Sequence, residues 1–148
     1  MRSRGIALVV CDLMVGCGGS TRSPDLSKWI GAPWIGTETS QSTCPNPTTG
    51  AELTGMVVSD EFAADGTAGF TATFDECDFS FTVSADTATL SNGPVICSET
   101  VGGVTVAAKF TSYTLTTSDG AHLMGTGEAT AVDDGMTCQY SVTITATR

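Results

Sequence analysis

Six cysteines are the side chains of this 148-residue sequence with the clearest chemistry. The last four, Cys44, Cys77, Cys97 and Cys138, make no Cys-x-x-Cys pair, which is the spacing of a structural zinc site. Cysteines so widely spread in a chain bound for an oxidising compartment form disulfides instead. Four of them allow three pairings, and the choice depends on which elements carry them. Other chemistry is sparse. The single histidine, His122, stands beside the turn pair Asp119-Gly120, and neither G-x-S-x-G nor H-E-x-x-H occurs. No nucleophile, base and orienting acid can be assembled from spacing, so the chain is expected not to be an enzyme. Asp75, Glu76 and Asp78, or Asp133 and Asp134, offer oxygen ligands suited to calcium but no complete ligand loop. Acids at turns bond their own backbone, and no metal or cofactor is expected. The stretch "GTGEA" at 125–129 lacks the glycine spacing, the lysine and the following helix of a phosphate loop.

Cys17 differs from the other cysteines because of what precedes it. The chain opens "MRSRGIALVVCD", two arginines followed by an apolar run, and continues "LMVGCGGS". A basic start, an apolar stretch and small residues before a cut is the order of an export signal. Met14, Val15, Gly16 and Cys17 resemble the lipobox of bacterial lipoproteins. That resemblance implies a signal peptide over 1–16, cleavage before Cys17, a lipid on its thiol and attachment to the membrane. With Gly18 rather than aspartate after the cysteine, it further implies the outer membrane, facing the periplasm or the exterior. An ordinary secretory signal is the alternative. No apolar run approaches the roughly 20 residues a spanning helix needs. Residues 17–28, with the small and polar "GGSTRSPDLS", read as a lipidated flexible tether. Residues 29–148 form one domain of ordinary size.

The formal net charge is −10, from 6 basic and 16 acidic residues. Loss of the signal would remove two arginines and one aspartate and leave the chain more acidic still. Nucleic acid is excluded as a partner, because phosphate backbones require clustered Lys and Arg. The acidity serves solubility, and it also suits a cationic protein partner.

From Leu53 onward the sequence alternates at period two. In "MTCQYSVTITA", Met136, Cys138, Tyr140, Val142, Ile144 and Ala146 share one face, and Thr, Gln and Ser fill the other. "CDFSFTVS" puts Cys77, Phe79, Phe81 and Val83 inward, and "GFTATFD" does the same with Phe70, Ala72 and Phe74. Threonine suits the outward positions because a β-branched side chain fits a pleated surface. Parity changes between Phe110 and Tyr113, the mark of a β-bulge. Asp65-Gly66, Asp75-Glu76, Asp86-Thr87, Gly102-Gly103, Asp119-Gly120 and Asp134-Gly135 supply the turns. The strands expected are 34–44, 52–62, 67–75, 77–84, 87–100, 103–118, 121–133 and 136–147. About eight strands joined by hairpins predict an all-β domain, a small antiparallel up-and-down barrel, with a β-sandwich as the alternative. Gly125 and Gly127 mark a barrel bend or the close approach of another backbone. Trp29 and Trp34, in "WIGAPWIG", cap one end.

This architecture resembles small lipocalin-like and avidin-like barrels, with Trp34 near the place of their first-strand tryptophan. It is also similar to bacterial lysozyme inhibitors, of whose Ser-Gly-x-x-Tyr motif "SDGAHL" at 118–123 keeps only a trace. Two functional readings follow. A hollow barrel would bind a small apolar ligand in a cavity of about 300 Å³ or more, lined by Phe79, Phe81, Tyr140 and Val142. A filled barrel would act as an acidic protein-interaction module, for example an inhibitor of a cationic hydrolase. A monomer is expected in both. In either barrel all four cysteines fall at one end. Cys77 and Cys97 come within one residue of facing each other across the Asp86-Thr87 turn, and closure would bring the first and last strands together. The expected bonds are therefore Cys77–Cys97 and Cys44–Cys138.

Overall fold

The period-two stretches fold as strands of one antiparallel sheet. The computed structural model describes residues 23–43, 53–60, 62–66, 68–74, 77–101, 104–133 and 135–148, with backbone alone for 53–60, 99–101, 104–106 and 133. Its strands are β1 Trp34–Ser42, β2 Leu53–Asp60, β3 Ala63–Asp65, β4 Gly69–Phe74, β5 Cys77–Ser84, β6 Thr87–Leu90, β7 Val95–Val101, β8 Val104–Thr116, β9 His122–Asp133 and β10 Met136–Thr147. A 3₁₀ turn, Leu26–Lys28, precedes them, with the Asp25 carboxylate accepting the Ser27 N–H at its start.

The sheet runs β2-β1-β10-β9-β8-β6-β5-β4-β3, with β7 also paired to β8, and it curls into a half-barrel. The expected all-β antiparallel architecture is what forms. The first and last long strands pair as expected, from Ile35 opposite Thr147 to Ser42 opposite Tyr140. The path ends at β2 and β3, which follow each other in the chain, so no ladder among the described residues joins them. The three-residue β3 is too short to show a period in the sequence. The fifth expected strand is two: Ser91 to Pro94 separate β6 from β7, and both lie along β8.

Local chemistry accounts for the turns. Gly66, Gly120 and Gly135, each following an aspartate, take positive φ of 69°, 70° and 78°, where a side chain would be strained. The expected bulge is present as a register shift between Phe110 and Ser112. The extra residue turns both Phe110 and Tyr113 toward the interior, where their rings lie 6.1 Å apart.

All six phenylalanines, both tryptophans and Tyr113 belong to one chain of ring contacts. Phe62 stacks on Phe70 at 4.7 Å, Phe70 on Trp29 and Phe81 at 5.3 and 5.2 Å, and Phe79 meets Phe110 edge-on at 5.2 Å. These large rings come mostly from β4, β5 and β8. The facing positions of β9 are small, Gly125, Gly127, Ala129 and Ala131, and all four are buried. Large against small fills the space without strain.

Candidate functional site

Among the described residues the interior is mostly hydrocarbon and aromatic ring, with Thr117 the one buried polar side chain. Phe79 and Phe81 are each 2% exposed and Val142 is 4% exposed, so three of the four expected cavity-lining residues are covered by neighbouring side chains. Tyr140, the fourth, is half-buried and is the one aromatic outside the ring chain. The tryptophans do close one end. Trp34 donates its indole N–H to the Trp29 carbonyl at 2.9 Å, and the Arg148 guanidinium lies 4.5 Å over the Trp34 ring. Arg148 also donates to the carbonyls of Gly120, Ile30 and Ser27, while Lys28 pairs with Asp86 at 2.6 Å. The segment 25–34 is thereby fastened by Arg148, just past β10, and by Asp86 in the β5–β6 turn.

Cys77 and Cys97 are joined in a disulfide, with Cα atoms 5.7 Å apart. The pair is the expected one, but its route is not. The β5–β6 hairpin register ends at Phe81 opposite Leu90, and Cys97 stands on β7 opposite Ala108 of β8. The bond therefore links β5 to β7, which share no ladder. Cys138 is buried and disulfide-bonded. Cys44 lies outside the described residues, and so does the expected Cys44–Cys138 pair. The same is true of Cys17, the signal segment, and Asp75, Glu76 and Asp134. Asp78 accepts a bond from the Thr73 hydroxyl at 2.7 Å.

His122 is exposed and its Nδ1 stands 2.6 Å from Asp119 Oδ2. The other Asp119 oxygen accepts the N–H groups of Ala121 and His122, both at 2.9 Å. The His122 ring first, then those two amides, hold the Asp119 carboxyl well below the usual carboxylate range. Among the described residues Asp119 is the partner of the ring, and both belong to the same turn.

The outer face is more ordered than the sequence suggested. Thr82 of β5 stands opposite Thr89 of β6, Thr89 opposite Thr114 of β8, Thr114 opposite Thr126 of β9, Thr126 opposite Thr143 of β10, and Thr143 opposite Thr39 of β1. A second rank, two residues along, runs Ser84, Thr87, Thr116, Met124, Thr145 and Thr37 through the same pairings. Thr37 and Thr145 share a hydroxyl hydrogen bond of 3.2 Å. Cross-strand threonine pairs of this kind contribute roughly 0.2–1 kcal/mol each. The Thr-x-Thr triplets at 37–39, 87–89, 114–116 and 143–145 were the available signal.

Beyond these ranks, toward the disulfide end, Ser112, Glu128, Ser141 and Gln41 form a third. It borders a recess of about 230 Å³ lined by Gln41, Ser42, Thr43, Glu128, Gln139, Tyr140 and Ser141. Successive residues of a strand point to opposite faces, so Ser42 and Tyr140 turn the other way from Gln41, Gln139 and Ser141. Among the described residues no group of three His, Cys, Asp or Glu side chains stands close enough to share a metal ion, and no helix is long and apolar enough to cross a membrane.

Comparisons with protein-family models, curated proteins and solved structures find no match to this chain.

Proposed function

We propose that this chain is an exported, lipid-anchored outer-membrane protein whose half-barrel binds a cationic protein through its outer surface and performs no catalysis. The observation that carries the binding mode is the ring chain. Nine aromatic side chains in mutual contact occupy the space a hollow barrel would keep for an apolar ligand. Binding then falls to the exterior, where Ile96 on β7 and Val132 on β9, the two strands that flank β8, are 67% and 65% exposed at the disulfide end. A net charge of −10 favours encounter with a basic partner. The lipid anchor rests on Met14-Val15-Gly16-Cys17 and the basic, apolar stretch before it.

Two measurements test the reading. Mass spectrometry of the mature N-terminus should find a diacylglyceryl mass on Cys17, and a free terminus at Gly18 or beyond would refute the anchor. Affinity capture from envelope extracts and culture medium should return a basic protein that is released by salt and lost with Ile96→Asp/Val132→Asp. Native mass spectrometry that instead found an apolar small molecule retained by the folded chain would restore the ligand-barrel alternative.

A further inference from the structure

The geometry points to the recess at the disulfide end as a binding site for one residue of a neutral sugar. Gln41 on β1, Ser141 on β10 and Glu128 on β9 stand in one rank on three adjacent strands. Thr43 and Gln139 stand one rank further on, and their backbones are locked together. The Thr43 N–H donates to the Gln139 carbonyl, and the Gln139 N–H donates to the Thr43 hydroxyl, both at 3.0 Å. Strands about 4.8 Å apart and ranks about 7 Å apart set these five side chains around a patch roughly 10 Å by 7 Å. A single pyranose ring covers such a patch.

The chemistry of the lining selects the ligand. Two carboxamides both donate and accept, the hydroxyls do the same, and the Glu128 carboxylate accepts. Among the described residues, the side chains of Gln41, Glu128, Gln139 and Ser141 are bonded to no other protein group. Donors and acceptors set side by side without protein partners match a ligand whose every hydroxyl is itself donor and acceptor. An anionic ligand would meet Glu128 with no cation beside it: Lys109 lies on the Gln139 rank, opposite Thr130, two strands away. A hard cation would find one carboxylate, too little charge for a site. Tyr140 is the one aromatic residue among the lining, and the other six are polar or charged, a lining that suits a ligand with both hydroxyls and C–H faces better than a wholly hydrophobic one. The site is independent of the protein-binding reading above, and either can fail alone.

Saturation-transfer NMR and calorimetry on the full chain in detergent, with glucose, galactose, mannose and N-acetylglucosamine, test it, with glucuronate as the charged control. At least one neutral sugar should bind and glucuronate should bind more weakly. Gln41→Ala/Glu128→Ala and, separately, Gln139→Ala should each weaken that binding about tenfold or more, a loss of about 1.4 kcal/mol. All three side chains are exposed, so circular dichroism and melting should be unchanged in these variants, and Gln41→Asn serves as a milder change should either fail to fold. No transfer from any neutral sugar, binding that survives both variants, or equal binding of glucuronate would overturn the site.

Discussion

The ring of Tyr113 lies over Gly127, its direct partner across β8 and β9, so closely that a Cβ built on Gly127 would come within 2.6 Å of the ring. The aromatic side chain occupies the room the glycine leaves, and Leu115 does the same over Gly125, at 2.5 Å. The expectation at these glycines was a barrel bend or another backbone, and the groups that come close are side chains instead. Gly127→Ala should therefore destabilise the domain by roughly 1–3 kcal/mol, the usual cost of overpacking. Urea unfolding followed by circular dichroism measures it, and a loss below 0.5 kcal/mol, about the scatter of neutral surface changes, would mean the ring moves aside freely.

Ala85 sits at φ +54° in the two-residue turn between β5 and β6. Alanine pays about 1–2 kcal/mol for that conformation, whereas glycine adopts it without strain and loses roughly 0.5–1 kcal/mol of entropy on folding. Ala85→Gly should stabilise by about 0.5 kcal/mol, seen as a small rise in melting temperature. A fall would show that the turn does not hold this geometry in solution.

The Cys77–Cys97 bond ties β5 to β7 across the bend at Ser91 to Pro94 and closes a separation of 20 residues. Replacing both cysteines with alanine should cost roughly 2–4 kcal/mol. Non-reducing peptide mapping should recover this pair. It should also find Cys138 joined to Cys44, because Cys138 is disulfide-bonded, Cys77 and Cys97 are joined to each other, and the β1–β10 pairing runs to Thr43 and Gln139. Mapping that joined Cys44 to Cys77 would contradict both.

Acid should expose the role of Asp119. Its carboxyl is depressed by the His122 ring and then by the amides of Ala121 and His122. A depressed carboxylate contributes stability that is fully present above the unfolded aspartate pKa of about 4. That contribution is lost as pH falls through the folded pKa. The group is exposed, so the effect is small. The melting temperature of the wild type should exceed that of Asp119→Asn most at neutral pH, with the gap narrowing below about pH 4. A gap that stayed constant down to strongly acidic pH would rule out this linkage.

The sequence by itself determined the strands, their faces and their turns, because these depend on neighbours in the chain. Alternation at Phe79, Phe81 and Val83 sets one face inward, Asp-Gly pairs supply positive φ, and the parity change after Phe110 announces a bulge. It also pointed to the β1–β10 pairing, since a sheet of hairpins that closes brings its first and last strands together. Only the tertiary structure decided how strands far apart in sequence line up. The route of Cys97 along β8 rather than β5 follows from the bend at Ser91 to Pro94, which no period reveals. The six-strand threonine rank and the recess beside it depend on every register at once. Those registers are set by volumes meeting across strands, such as Tyr113 against Gly127, and a residue's own neighbours in the chain carry no record of the volume it will face.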